Sequence, residues 1–328
     1  MIRLLRIRNF KSIKELTLEP RRVNLFVGKP NTGKSNILEA LGLLSFGGHG
    51  DVGNFKEFVR YESLSDLFYD GNVEEDVEIS FDDMPGGIKF EKGEFRFLGG
   101  GAVFLTATFQ SIEKRSLRPE RLRYLVPFKF YRFKIRTVFQ GKDPRFLAPP
   151  SGDNLLTLLL TRKSLREMVN SIFDEFGLKL ALRPQENRIE VVKYQEDVLI
   201  SYPYSTASDT LQRVIFHLVA IKSNENSVIV FEEPEAHSFP FHTKQLAKMI
   251  ALDESGNQYF ISTHNPYFLL SILEKAPKEE VAVFLTYYED YQTKVKLLSG
   301  GDIEEIMDHG IDLFFDLERF LDEEGDLR

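Results

Sequence analysis

The chain has 328 residues, 42% hydrophobic and 28% charged, which suits one large globular core or two modest ones and argues against disorder over most of its length. It has no cysteine, so disulfides, thiolate metal sites and cysteine nucleophiles are excluded. No apolar run is long enough to cross a bilayer and the first eight residues alternate like a strand, so the sequence reads as a cytoplasmic protein without a membrane partner. The net charge of −8 is uneven: residues 302–328 hold eleven acids against Arg319 and Arg328, a local net of −9, and the remainder is near +1. An acidic whole is therefore no argument against a nucleic-acid partner.

Strands are expected over 1–7 and 16–18, then a buried strand over 23–27. It runs into Gly28-Lys29-Pro30-Asn31-Thr32-Gly33-Lys34-Ser35, a complete G-x-x-x-x-G-K-[ST] phosphate-binding loop, followed by a helical apolar pattern over 36–44. Gly28 and Gly33 allow the tight turn that brings backbone N–H groups to phosphate oxygens, and the helix N-terminus behind them adds a favourable dipole. Lys34 is placed to reach the β- and γ-phosphates and the Ser35 hydroxyl to hold Mg²⁺, with Asn31, Thr32 and Asn36 completing the cradle.

From 47 to 109 the helical period gives way to short strand-like runs, among them 77–81, 88–90, 94–97 and 102–105, which read as an antiparallel β insertion. Residues 111–136 follow with nine basic residues against two acidic ones, interleaved with aromatics. This segment fits a DNA-binding surface with Arg118, Arg121, Arg123 and Lys129 as candidates, and fits equally a solvated loop leading into an amphipathic strand. Helices are expected over 154–160, 165–176 and 211–221, and strands over 178–182, 188–194 and 198–202.

The run 228–233 is a buried strand ending in the adjacent carboxylates Glu232 and Glu233. Ionised carboxylates are costly to bury unless they are paired or hold a metal, so a strand tip beside a phosphate site suits a metal-side acid and a general base. Adjacent side chains diverge, so the two acids can divide the labour, with Glu232 expected to face the metal and its waters and Glu233 to polarise the attacking water. A further strand over 259–262 leads into Thr263-His264-Asn265-Pro266.

Taken together, Ile7-Arg8-Asn9-Phe10-Lys11-Ser12-Ile13, the phosphate loop, Glu232-Glu233-Pro234-Glu235-Ala236-His237 and Ser262-Thr263-His264-Asn265-Pro266 resemble the ABC-type ATPase heads of the SMC and RecF class. They resemble more closely still the stand-alone AAA-type ATPases related to OLD-family proteins. The resemblance implies an α/β P-loop NTPase of ABC-ATPase type, a mixed central sheet flanked by helices with an antiparallel β-rich lobe. It implies one head over 1–328, with a nucleotide core from 1–46 and 137–301, the insertion over 47–136 and an acidic tail over 302–328. It further implies ATP and Mg²⁺ as cofactors and a homodimer or higher homo-oligomer with nucleotide sandwiched between subunits. His264 takes the place of the switch histidine at the γ-phosphate, and Lys11 with Ser12 that of the segment near the nucleotide. Ser208, in the turn before the 211–221 helix, takes that of the signature that reaches a partner's phosphate.

Three positions depart from the family pattern. The signature lacks paired glycines, leaving Ser208 and Thr210 both eligible for the phosphate contact. Glu232 stands where an aspartate is usual, a longer arm whose contact with the metal can run through water. The family's Gln loop is either Gln110 or Gln140. The resulting expectation is an ATPase whose dimerisation is driven by ATP and which acts on DNA or an effector protein, the alternative being an ATP-binding scaffold with little turnover. No intrinsic nuclease is expected. About sixty residues follow the switch, enough for a hairpin with Glu289 and Asp290 in its turn and an acidic helix over 303–321.

Overall fold

The computed structural model describes residues 1–309, 314, 317 and 319–322. The chain opens with a hairpin, β1 (Leu5–Phe10) and β2 (Ile13–Leu18), whose two-residue turn is Lys11-Ser12, and continues through β3 (Val23–Val27) into α1 (Lys34–His49). Short helical turns fill the stretch from 52 to 71, including α2 (Phe55–Phe58). Strands β4 (Val77–Phe81), β5 (Gly87–Glu91), β6 (Glu94–Gly99), β7 (Ala102–Ala107) and β8 (Ile112–Lys114) then complete a seven-stranded antiparallel sheet in the order β2-β1-β4-β5-β6-β7-β8. After α3 (Pro119–Leu122) comes β9 (Phe128–Tyr131).

Helices α4 (Leu155–Thr161) and α5 (Lys163–Asp174) precede a separate three-stranded sheet of β10 (Lys179–Arg183), β11 (Arg188–Gln195) and β12 (Val198–Pro203). Next are α6 (Asp209–Ser223), β13 (Val228–Glu232), α7 (Pro240–Ala251), β14 (Gln258–Ser262) and α8 (Pro266–Leu273). The hairpin β15 (Val281–Glu289) and β16 (Gln292–Leu297), then α9 (Gly300–His309) and α10 (Arg319–Asp322), close the described chain. The second large sheet has the order β16-β15-β3-β14-β13-β9, parallel except for the edge strand β16.

The alternation of side chains along a strand divides the protein into two cores. In β3, Val23, Leu25 and Val27 face α4 to α8, whereas Phe26 faces α1 and the antiparallel sheet. Phe26 stacks on Phe260 and Phe284 of the neighbouring strands, a row of rings beneath α1. Both faces of the parallel sheet are thus covered, which is why its strands read as unbroken apolar runs.

Several expectations are corrected. The first two strands lie at 5–10 and 13–18, because Met1 and Arg3 precede the paired register. Helix α1 runs through Gly47 and Gly48 to His49: Leu125 and Phe104 occupy the space their side chains would take, so packing overrides weak helix propensity. The β-rich stretch therefore begins at Val77, and β1 and β2 belong to its sheet. Strand β9 lies inside the expected insertion yet pairs with β13 in the parallel sheet. It is buried along its length, and Lys129 with it, only 2% exposed. A core strand thus replaces both expectations at this position, Lys129 as a DNA contact and, in the alternative, an amphipathic strand with its basic residues in water. The acidic helix expected over 303–321 is α9, from 300 to 309, and the short turn of α10; the rest of that expectation lies outside the described residues.

Lys129 has an unusual setting. Its Nζ lies 3.3 Å from the centre of the Phe146 ring and 3.0 Å from His49 Nε2. Burial, reinforced by Arg145, lowers its pKa to about 6, against the weaker pull of Asp143. The folded protein sheds a proton there that the unfolded chain keeps, so this group destabilises the fold most at low pH and the penalty fades as pH rises toward 10.5. Accordingly, Lys129→Met should raise the thermal midpoint at about pH 6, with the gain shrinking steadily toward about pH 10. A variant less stable than its parent at the acid end would contradict this assignment.

Candidate functional site

Strands β3, β13 and β14 are parallel and in register, so Val27, Glu232 and Ser262 end at one edge of the sheet. The phosphate loop starts there. Gly33 has a φ of +95°, and a Cβ on it would come within 1.9 Å of Thr293 Oγ1; one on Gly28 would come within 2.2 Å of the Thr286 carbonyl oxygen. Only glycine allows the loop to nest this closely on the β15–β16 hairpin. Hydroxyl contacts fix the contact surface: Thr32 Oγ1 with Thr286 Oγ1 at 2.9 Å, and Ser12 Oγ with Thr293 Oγ1 at 2.7 Å. Asn36 Nδ2 donates to Ser12 Oγ at 2.6 Å, tying the first turn of α1 to the β1–β2 turn.

The loop borders a cleft of about 900 Å³ lined by Ser12, residues 30–36, Arg60, Glu233, His264 and Tyr288. Lys34 Nζ donates to the Gly28 and Lys29 carbonyls at 2.8 and 2.7 Å. Burial lowers its pKa to about 8, with Glu233 opposing.

Glu233 has a left-handed backbone, φ +44°, and its N–H donates to the Ser262 carbonyl at 3.1 Å. This turn directs its carboxylate away from Glu232 and to 3.5 Å from His264 Nε2. His264 is anchored through its neighbour Asn265, which caps α8 by accepting from the N–H groups of Tyr267 and Phe268 at 2.9 and 3.2 Å. Burial and the Lys34 charge lower the His264 pKa, against Glu233. Behind them Glu235 is 5% exposed, accepts from Thr263 Oγ1, and is pushed up to about 7 by burial.

Glu232 faces the other way, into a cluster of charges. Its Oε2 accepts from Arg132 Nη2 at 2.9 Å and its Oε1 from Arg60 Nη2 at 3.2 Å. Burial favours its neutral form, but Arg132, the Ser35 hydroxyl and Arg60 outweigh this and hold its pKa below the usual carboxylate value. The fully buried Glu39 of α1 shares both arginines and also pairs with Lys11. Lys11 therefore points to Glu39 and the Arg60 carbonyl, and lines a neighbouring cavity with Arg60 instead of the phosphate cleft. Sequence reasoning missed Glu39, Arg60 and Arg132. A signal existed for Arg132, which directly follows an apolar strand just as Glu232 ends one.

The remaining candidates lie elsewhere. Ser208 occupies the N-cap position of α6 without a side-chain capping bond, and lines a different cavity with Phe176, Tyr202 and Phe239. Thr210 Oγ1 donates to the His237 carbonyl at 2.9 Å. Neither Gln110 nor Gln140 lines the phosphate cleft, so the structure singles out neither as a Gln loop. Arg118, Arg121 and Arg123 are exposed around α3, Arg123 stacking on Tyr124. Glu289 and Asp290 both pair with Lys294.

The cradle fits a triphosphate with Mg²⁺. Close-packed glycines, a helix N-terminus and a lysine face one cleft, and Ser35 is bonded to a strand-end carboxylate. Among the described residues no group of three or more His, Asp or Glu is placed to hold a metal ion. No described helix is long and apolar enough to cross a membrane.

Known proteins bear out this kinship. Residues 1–91 match the family described as an AAA ATPase domain, and residues 165–271 the one described as an AAA domain, putative AbiEii toxin, Type IV TA system. The chain is 34% identical over 91 residues to protein MJECL10 of Methanocaldococcus jannaschii, covering 25% of this chain and 42% of that protein. It is 43% identical over 63 residues to the DNA replication and repair protein RecF of Clostridioides difficile, covering 19% of this chain and 17% of RecF. The chain thus spans less than half the length of each of these relatives. Among solved structures it resembles an SMC head bound to the C-terminal winged-helix domain of ScpA, with a TM-score of 0.55 and 18% identity over 92% of this chain and 98% of that one. It resembles also the Smc head with an extended coiled coil bound to the C-terminal domain of ScpA from Pyrococcus furiosus, with a TM-score of 0.53 and 15% identity over 94% and 98%. At such identities the likeness shows the fold, which is that of an SMC head. The fold and the sequence matches together support a P-loop ATPase related to the SMC and RecF heads.

Proposed function

We propose that the chain binds ATP with Mg²⁺ in the cleft and hydrolyses it, and that a second copy completes the site. The observation that carries this reading is the convergence of Glu233 and His264 on the rim of the cleft formed by the phosphate loop. Backbone N–H groups of the phosphate loop, Pro30 excepted, and Lys34 neutralise phosphate charge, which is the main task in a reaction whose catalysis is positioning and electrostatics. Ser35, with Glu232 beside it, would hold Mg²⁺, which would supply further charge neutralisation. Glu233 accepts the proton of the attacking water. His264 donates to the terminal phosphate, and its proximity to Glu233 keeps the two groups aligned.

The second copy is proposed because the Ser208 turn lies outside the cleft of its own chain, with its hydroxyl and the first N–H groups of α6 uncommitted to a side-chain cap. A two-fold dimer would bring that turn to the partner's phosphates. The output partner is proposed to be DNA, contacted through Arg118, Arg121 and Arg123, or an effector protein. The SMC heads of similar fold are bound to a domain of ScpA in their structures.

Glu233→Gln should retain ATP binding and slow phosphate release by roughly 100-fold or more. Equal release rates would reject hydrolysis and favour the scaffold reading. Mixing two inactive variants, Lys34→Ala and Ser208→Arg, should restore part of the ATPase activity, since a mixed dimer contains one site with an intact loop and an intact partner turn. A mixture as inactive as its components would count against the composite site.

A further inference from the structure

The side chain of Arg132 is anchored at three places. Its Nη2 and Nε donate to Glu232 Oε2 at 2.9 and 3.2 Å, Nη2 also donates to Glu39 Oε1 at 3.1 Å, and Nη1 donates to the Glu57 carbonyl at 3.1 Å. The parallel register, in which Tyr131 pairs with Phe231, places Arg132 level with Glu232 across two adjacent strand ends. It is better sheltered than Arg60, 25% exposed against 56%. A planar guanidinium clamped on both sides in this way fixes the direction of the carboxylate it holds, which a lysine could not do.

We propose that Arg132 is a positioning residue for the metal: it holds Glu232 Oε2 so that the acid supports Ser35 and a metal-bound water from outside the coordination shell. Both Glu232 oxygens have arginine partners, and entry into the shell would cost one of them. Removing groups that orient metal ligands from the second layer usually weakens metal affinity, by about 10–100-fold. Here the change goes toward tighter binding, because loss of the guanidinium frees a charged oxygen to coordinate directly. The proposal rests on reading the cleft as a Mg²⁺–ATP site.

The test uses Mn²⁺ with ATP as the probe on the full chain. Affinity is measured by titration, and bound waters are counted from line broadening of the Mn²⁺ resonance in ¹⁷O-enriched water. Arg132→Gln should bind Mn²⁺ in the ATP complex on the order of tenfold more tightly, with one water fewer than the parent. Equal or weaker binding with an unchanged water count would overturn the proposal. Glu232→Gln supplies an arm independent of any folding defect in the first variant: an outer-layer acid leaves the water count unchanged, whereas a gain of one water would show direct coordination and overturn the proposal. Failure of the parent to bind Mn²⁺–ATP at all would reject the underlying ATP reading instead.

Discussion

The structure depends on the parallel, in-register pairing of β9, β13, β14 and β3. Because these strands run the same way and are buried on both faces, their polar carboxyl-terminal ends emerge together at one edge. Arg132, Glu232, His264 and the phosphate loop all extend directly from that edge. A one-residue slip in any strand would exchange its two faces and turn its terminal side chain away. The row of Phe260, Phe26 and Phe284 under α1, with Leu25 and Ile261 on the opposite face, opposes such slips from both sides.

Two further contacts turn the edge into a shaped cleft. The β15–β16 hairpin supports the phosphate loop from below, through threonines that occupy the space a side chain on Gly28 or Gly33 would need. The β1–β2 turn closes it from the side through Ser12, bonded to both Thr293 and Asn36. The antiparallel sheet thereby belongs to the site: Ser12 comes from its first hairpin, and Lys11 and Arg60 join its neighbourhood to Glu39 and Glu232. Two carboxylates and three cations meet there, an arrangement in which removal of any one member leaves a buried charge poorly compensated.

Much of this was legible in the sequence wherever local pattern and tertiary role coincide. The phosphate loop could be read because strand, glycines and helix occur in the order the chemistry requires, and Glu233 because carboxylates ending an apolar strand need a reason, whereas His264 was picked out only by the resemblance of its segment. The β4 to β7 runs were visible from alternation. The illegible parts depend on distant packing. Gly47 and Gly48 look like a break, yet continue α1 because Leu125 and Phe104 fill the space beside them. Lys129 looks like a surface charge, yet sits against Phe146 inside the core. Lys11 matched a motif for nucleotide contact, and its turn toward Glu39 comes from a buried acid that sequence gives no reason to single out.

On the proposed reading one cleft gathers the triphosphate-binding and water-activating groups. A crystal structure of the Glu233→Gln chain with ATP and Mg²⁺ is the decisive measurement. The account predicts phosphates cradled by residues 28–35, residue 233 and His264 flanking the terminal phosphate, and the Ser208 turn of a second copy facing it. Nucleotide bound elsewhere, or phosphates in the loop with residue 233 and His264 turned away from them, would contradict it.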